Sequence, residues 1–419
     1  MNLVMRTFFY VSIYLGLFTI SLYIINLIAY RKKLATPPID RYPTLSIIVP
    51  AYNEEVCIAK TIQDLLALDY PREKYEIIVV DDGSRDHTYK IAKQYESKQV
   101  KVFTKPNGGK GTALNLGLQK ARGEFVASMD ADSFVSRNAL KEIMGYFKDS
   151  QVMCTAATLL VYKPKGILQR IQSIEYFMGV FLRKAFSFVE SIHVTPGAFS
   201  IYRKSFFDTY GGYREDTLTE DLEIALRIQA HGYKLRTSSK ALVYTVAPMT
   251  FAGLLAQRRR WYIGLIRHLW EYRNLFSPKY GELGLIVLPA ALISIIFMMG
   301  FTFYHLFKIT SNNLDRFDSY RRIGFDFINN FSFKWFMVQE ILYDYFSSPL
   351  TLFAWISVII FLSLLFFAKK QTKQQIGVRA GFIFFLLFYA ALHTVWWIVS
   401  FFHLAFKKKT IWGREVRKI

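Results

Sequence analysis

A chain of 419 residues is long enough for two or three soluble domains, but 52% hydrophobic residues, 17% aromatic residues and a mean hydropathy of +0.19 exclude a purely soluble architecture, so part of the chain sits in lipid. A formal charge of +21 suits an anionic membrane surface and nucleic acid equally, and its sign alone chooses neither. Its placement says more: Arg31-Lys32-Lys33, Lys369-Lys370 and Lys407-Lys408-Lys409 each follow an apolar segment, a juxtamembrane pattern.

In chain order, Phe8 to Tyr30 has the length of a membrane span and lacks a basic leader and a small-residue cleavage site, so a retained anchor is expected, with the chain after Arg31-Lys32-Lys33 on the cytoplasmic side. After a connector through Pro37 and Pro38, strands and helices alternate. Strands are expected at Leu45–Val49, Glu76–Val80, Val100–Phe103 and Phe125–Met129, with helices at Ile58–Leu68, Asp86–Tyr95 and Lys110–Ala121. This spacing implies βαβ units and a mainly parallel sheet, with polar groups collected at the carboxyl ends of the strands. Pro164 to Glu190 has a helical period and is rich in aromatic and basic residues, which fits an amphipathic surface helix or one lying in the membrane interface. A turn-rich loop, His193 to Phe199, leads to a strand at Ser200–Arg203, and Thr219 reads as the N-cap of a helix opening with Glu220-Asp221. A second amphipathic helix starts at Phe251. Leu283–Leu306, Thr351–Ala368 and Ala380–Phe406 are candidate spans, and Lys308 to Pro349 reads as an extramembrane loop with an interfacial helix near Phe333–Tyr345. Three spans would leave the tail outside, yet Lys407, Lys408, Lys409, Arg414, Arg417 and Lys418 against the single Glu415 favour the inside. Either the last apolar segment is no simple crossing or Lys308–Pro349 hides one. Cys57 and Cys154 read as buried thiols in a reducing compartment.

Several polar clusters carry chemistry. The strand Phe125–Met129 ends in Asp130-Ala131-Asp132, two hard carboxylates placed to hold a divalent cation. Asp81-Asp82 at another strand end is a candidate for base or ribose binding, or simply a cap and turn. Asp221, near a helix N-terminus, is a candidate general base. Arg258, Arg259 and Arg260 offer phosphate-binding forks and Trp261 a face on which a sugar can stack, although such a run also serves as a snorkelling belt. Lys110 after Gly108-Gly109 does not have the spacing of a Walker motif. The histidines are scattered, and no interleaved aromatic and basic strand motif is present, so no nucleic-acid partner is expected.

Taken together, Pro50-Ala51-Tyr52-Asn53-Glu54, Asp81-Asp82-Gly83-Ser84, Asn107-Gly108-Gly109-Lys110-Gly111, Asp130-Ala131-Asp132, Thr219-Glu220-Asp221 and Gln257-Arg258-Arg259-Arg260-Trp261 resemble the ordered signature of the processive membrane family 2 glycosyltransferases: the cellulose, chitin, hyaluronan and poly-N-acetylglucosamine synthases. The likeness covers about Leu45 to Leu275, and Thr219-Glu220-Asp221 with the compact length is nearest the poly-N-acetylglucosamine synthases. It implies an α/β fold of GT-A type (Rossmann-like, mainly parallel sheet) with transmembrane and interfacial helices, divided as anchor (1–33), transferase domain (34–275), transmembrane region (276–406) and basic tail (407–419). It further implies a cytoplasmic catalytic domain in the plasma membrane that polymerises a β-linked polysaccharide from a UDP-sugar, with UDP-N-acetylglucosamine the first choice, by an inverting displacement using Mg²⁺ or Mn²⁺. By the same resemblance, Asp221 with Glu220 forms the catalytic pair. Ala51, Tyr52, Asn53, Glu54, Asp81, Asp82, Lys110 and Asp130 meet the nucleotide sugar, Asp132 with Asp130 binds the metal, and Pro196, Gly197, Gln257, Arg260 and Trp261 meet the acceptor and diphosphate. Trp412-Gly413-Arg414 is loosely similar to a gating motif of hyaluronan synthases without its Thr. The partners implied are the donor, a growing polysaccharide, membrane lipids and room for an accessory membrane subunit. The alternatives are single transfer to a lipid acceptor and an inactive basic membrane scaffold.

Overall fold

The computed structural model describes residues 3–30, 35–322, 338–339, 343, 349–373 and 378–406. Most of the interfacial helix expected at Phe333–Tyr345, and the whole tail with Trp412-Gly413-Arg414, lie outside them. Residues 45–245 form a sheet covered on both faces by helices. Its strands are β1 (Leu45–Ala51), β2 (Tyr75–Asp81), β3 (Val100–Thr104), β4 (Phe125–Met129), β5 (Ser133–Val135), β6 (Val152–Val161), β7 (Phe199–Arg203) and β8 (Lys234–Thr245), in the order β3-β2-β1-β4-β7-β6-β8-β5. The half β3-β2-β1-β4 is parallel; β7 then runs antiparallel to both β4 and β6, β8 is parallel to β6, and β5 is antiparallel to β8.

Every residue of β1 is buried, as a strand covered on both faces requires, and neighbouring side chains feed opposite cores. Ile47, Val49, Ile77, Val79 and Ala127 belong to one cluster with α2 (Ile58–Leu66) and α3 (Thr88–Lys93). Ile48, Ile78, Val80 and Val126 belong to the other, with α4 (Lys110–Lys120) and residues of α7 (Lys204–Tyr210) and α8 (Glu220–Ala230). The register Ala51↔Asp81 and Asp81↔Thr104 brings the ends of the parallel strands level. Antiparallel β7 presents its start, Phe199, beside Met129. The loops after β1, β2, β3 and β4 and the loop before β7 therefore open on one edge.

β6 leads into α6 (Gly166–Phe188) and β8 into α9 (Phe251–Glu271), whose N-cap Thr250 accepts from Gly253 N at 3.1 Å. The expected surface or interfacial helix at Pro164–Glu190 is α6, and it is held on several sides. Gln169 and Gln172 donate to the carbonyls of Ala247 and Pro248, and α12 (Val378–Ala405) packs on both α6 and α9. Among the described residues, three helical stretches are long and apolar enough to cross a membrane: Tyr10–Ala29 in α1 (Leu3–Ala29), Leu283–Lys308 running into α10 (Leu288–Arg322), and Thr351–Thr372 in α11 (Pro349–Thr372). Ala391–Ala405 within α12 is a shorter apolar stretch. The loop expected from Lys308 is corrected in its first part, because α10 continues unbroken to Arg322. Two compact units result, one of residues 1–20 and 290–366 and one of 21–289 and 367–419.

Helix α4 lies flush on β1 because a Cβ at Gly117 would overlap the Ile48 methyl. Gly117→Ala is expected to lower stability by about 1–3 kcal/mol through overpacking, visible as a lower unfolding temperature of the solubilised protein. An unchanged melting curve would show that α4 has room to retreat.

Candidate functional site

At the open edge, the loop after β1 is stitched to the loop after β2. Asn53 adopts φ +54° and accepts from Arg85 N at 2.8 Å, while its own amide donates to Ser84 Oγ at 2.9 Å. Glu54 N donates to Thr88 Oγ1 at 2.7 Å. Gly83, at φ +71°, takes a left-handed conformation against Asn107 where a side chain would collide. Asp81 accepts from Thr104 Oγ1 at 2.9 Å, and buried Asp82 accepts from Lys105 Nζ at 2.6 Å, Gly108 N at 3.0 Å and Gly109 N at 2.8 Å. In this arrangement the Asp82 carboxylate shapes the glycine loop that starts α4.

That loop aims Lys110 into the site. Its Nζ lies 2.8 Å from Asp130 Oδ1, at the end of β4, and 2.5 Å from Glu220 Oε1, at the start of α8. Gly197 lies against the same group: a Cβ there would stand 3.0 Å from Lys110 Nζ and 3.2 Å from Asp221 Oδ2. Gly197 N donates to Asp221 Oδ2 at 3.2 Å, and Leu222 N to Asp221 Oδ1 at 2.9 Å. Thr195 Oγ1 anchors the Asp221 carbonyl at 2.9 Å.

Burial and then the neighbouring Glu220 charge push Asp221 up to about 6. Burial would raise Glu220 as well, but Lys110 and Arg260 outweigh it and hold that carboxyl below the usual range. Burial works against the charge on Lys110, yet Asp130, Glu220 and Asp221 keep it protonated well above its ordinary range. The environment thus holds two adjacent carboxyls apart, Asp221 raised to about 6 and Glu220 kept below the usual range.

Asp132 is buried, and Ser133 Oγ lies 3.4 Å from its Oδ1. Among the described residues no group of three or more His, Cys, Asp and Glu side chains converges as a metal site. Two carboxylates are nonetheless the donor set that Mg²⁺ or Mn²⁺ accepts when substrate phosphate oxygens and water complete the octahedron, so the residues fit such an ion.

Thr219 occupies the N-cap position of α8, but its side chain makes no capping bond. It is turned into α9, where Gly264 leaves it space, and its hydroxyl is buried without a partner among the described residues. The basic run on α9 divides by helical face. Arg258, expected as a phosphate fork, is 2% exposed and spends both terminal nitrogens on Glu175 of α6, at 2.7 Å each. Its guanidinium lies 4.3 Å from the Trp261 ring and 5.2 Å from that of Trp396 in α12. Trp261 packs beside Val161, Tyr176 and Ala247. The Oε1 of Gln257 is buried without a partner among the described residues. Glu175 was illegible in the sequence because its partner is 83 residues away.

The Glycosyl transferase family 2 profile matches residues 46–211. The poly-beta-1,6-N-acetyl-D-glucosamine synthase of Staphylococcus aureus strain COL is 29% identical over 274 residues, 64% of this chain and 65% of the relative, so the match spans just under two thirds of that protein. The synthase of the same name from Staphylococcus epidermidis is 28% identical over 369 residues, covering 85% of this chain and 81% of the relative. Residues 46–211 thus carry a family 2 glycosyltransferase domain. A mannosyltransferase from Pyrobaculum calidifontis, solved with GDP-Man and Mn²⁺, superposes with a TM-score of 0.54 over 75% of this chain and 93% of its own, at 22% identity. The transferase domain thus has the GT-A fold, with a mixed sheet.

Glu175→Gln leaves the Arg258 charge buried without a counter-charge and is expected to cost about 3 kcal/mol. Adding Arg258→Met should recover part of that loss in thermal unfolding. Equal melting of wild type and the single variant would mean that the pair does not hold α6 to α9.

Proposed function

We propose that this transferase polymerises a β-linked polysaccharide from a UDP-sugar, with UDP-N-acetylglucosamine as donor, and passes the chain across the plasma membrane from a cytoplasmic catalytic domain. The observation that carries the reading is the meeting of Asp130, Glu220 and Asp221 around Lys110, with Arg260 close enough to favour the ionised carboxylates. It is supported by the similarity to the two staphylococcal poly-beta-1,6-N-acetyl-D-glucosamine synthases and by the apolar helices.

In this reading Asp221 takes the proton of the acceptor hydroxyl. The hydroxyl oxygen forms its bond to the anomeric carbon from the side opposite the diphosphate, the bond to the diphosphate oxygen breaks, and that oxygen leaves with the electron pair, so the configuration inverts. The Gly197 and Leu222 amides fix both oxygens of Asp221, aiming one carboxyl group at one hydroxyl. Lys110 and Arg260 place positive charge where the leaving diphosphate gathers negative charge. Asp130 and Asp132 would hold Mg²⁺ or Mn²⁺, which when bound supplies Lewis-acid stabilisation to the same leaving group. Gln257 and Trp261 contribute an acceptor-side amide and an aromatic face.

Asp221→Asn is expected to reduce transfer by at least about 100-fold while UDP-sugar affinity stays near wild type. Loss of both together would assign Asp221 to donor binding. A base with a pKa of about 6 makes kcat/KM rise with pH through that value and level off above it. Removing the Glu220 charge lowers the Asp221 pKa, so Glu220→Gln should move this rise to lower pH, and a rise that moves upward contradicts the pairing. Radiolabelled UDP-N-acetylglucosamine supplied to the protein in lipid should yield a product of many sugars on a sizing column. A product of one sugar on a lipid would replace the polymer reading with single transfer.

A further inference from the structure

A second basic site lies on α6, away from the carboxylates. Arg183 projects from the helix into a cavity of about 180 Å³ lined by Gly179, Leu182, Phe186, Ile192 and His193. Its Nε and Nη2 are buried and have no hydrogen-bond partner among the described residues. Gly179, one turn earlier, makes the cradle: a Cβ there would stand 3.0 Å from Nη1 and 3.1 Å from Nη2. Burial pulls this guanidinium down to about 10, against weak support from Tyr176 and Glu175. The Glu175 carboxylate is already committed to Arg258. A forked donor buried with its hydrogen bonds unmade is expensive, and a planar or tetrahedral oxyanion satisfies it.

The surroundings say where that anion comes from. Tyr23 of α1 meets Phe186 edge-on at 5.1 Å, and Tyr30 meets Phe188 at 5.6 Å. Phe367 of α11 meets Phe181 edge-on at 5.9 Å. Tyr23 and Phe367 lie six and five residues before the ends of their apolar stretches, roughly 9 and 8 Å at the helical rise. Arg183, between Phe181 and Phe186, is thereby held at the depth of about 5–10 Å where interfacial helices bury themselves between headgroups and acyl chains. We propose that Arg183, in the cradle formed by Gly179 and His193, binds the phosphodiester of an anionic phospholipid and so seats α6 on the bilayer surface.

The test is native mass spectrometry of the full chain released from micelles doped with equal phosphatidylglycerol and phosphatidylcholine. The wild type is expected to retain a first phosphatidylglycerol over phosphatidylcholine by about fivefold, the preference that one basic side chain supplies at an anionic surface. Arg183→Gln should bring the ratio to about one and Arg183→Lys should restore most of it, with UDP-sugar affinity unchanged in both. Should Arg183→Gln fail to fold, Gly179→Leu decides, because it fills the cradle and leaves the charge. A fivefold preference surviving either Arg183→Gln or Gly179→Leu overturns the site. Release of the wild-type lipid by millimolar inorganic phosphate overturns the lipid assignment in favour of a soluble phosphate.

Discussion

A single ammonium group organises the open edge of the sheet. Lys110 joins Asp130, delivered by a strand, to Glu220, delivered by a helix 90 residues further along the chain, and its charge is what allows three carboxyl groups to share a poorly solvated space. Without it the acids would repel one another and take up protons. With it, Glu220 is held below the usual carboxylate range while Asp221 is raised only to about 6. The supports of Lys110 reflect that requirement: α4 presses on β1 through Gly117, and Asp82 folds the glycine loop so that the helix begins at Lys110 itself.

The second constraint is the junction of α6, α9 and α12. Arg258 faces away from the carboxylates and is locked to Glu175 between two tryptophan rings, so the α9 surface bearing Gln257, Arg260 and Trp261 is held in register with the sheet edge. Other clips act beside it. Glu223 of α8 accepts from Tyr272 just after α9, and Thr217 meets His268. Together with the ring contacts that Tyr23 and Phe367 make with α6, these tie the site to helix ends long and apolar enough to leave the aqueous phase. Adjacent basic residues on one helix consequently do different work, since successive positions on a helix point in directions about 100° apart.

The parallel half of the sheet was legible because fully buried strands write themselves as apolar runs, and Ile47 to Val49, Ile77 to Val80 and Phe125 to Ala127 have that form. In the other half only β7 was, expected at Ser200–Arg203 and found at Phe199–Arg203. β5, β6 and β8 owe their place to pairings with strands distant in sequence, such as Val152 with Lys234, and nothing local marks such partners. Thr219 shows the same limit at a smaller scale: its type and position suit a cap, but a glycine on another helix offered its side chain a different place.

Taken by itself, the sequence determined the chemistry on offer: which strand ends carry acids, that Asp221 opens a helix, that a basic and aromatic run comes after it, and that apolar segments flank the whole. These are properties of residue type and spacing, which local physics decides. The tertiary structure alone decided how that chemistry is divided. It placed Lys110 among the acids, turned Arg258 into a structural tie and buried Arg183 Nε and Nη2 without a hydrogen-bond partner among the described residues, because which charges meet depends on contacts between segments far apart in the chain. Asp130, where the carboxylates first drew notice, thus emerges as one side of an ion-paired cluster.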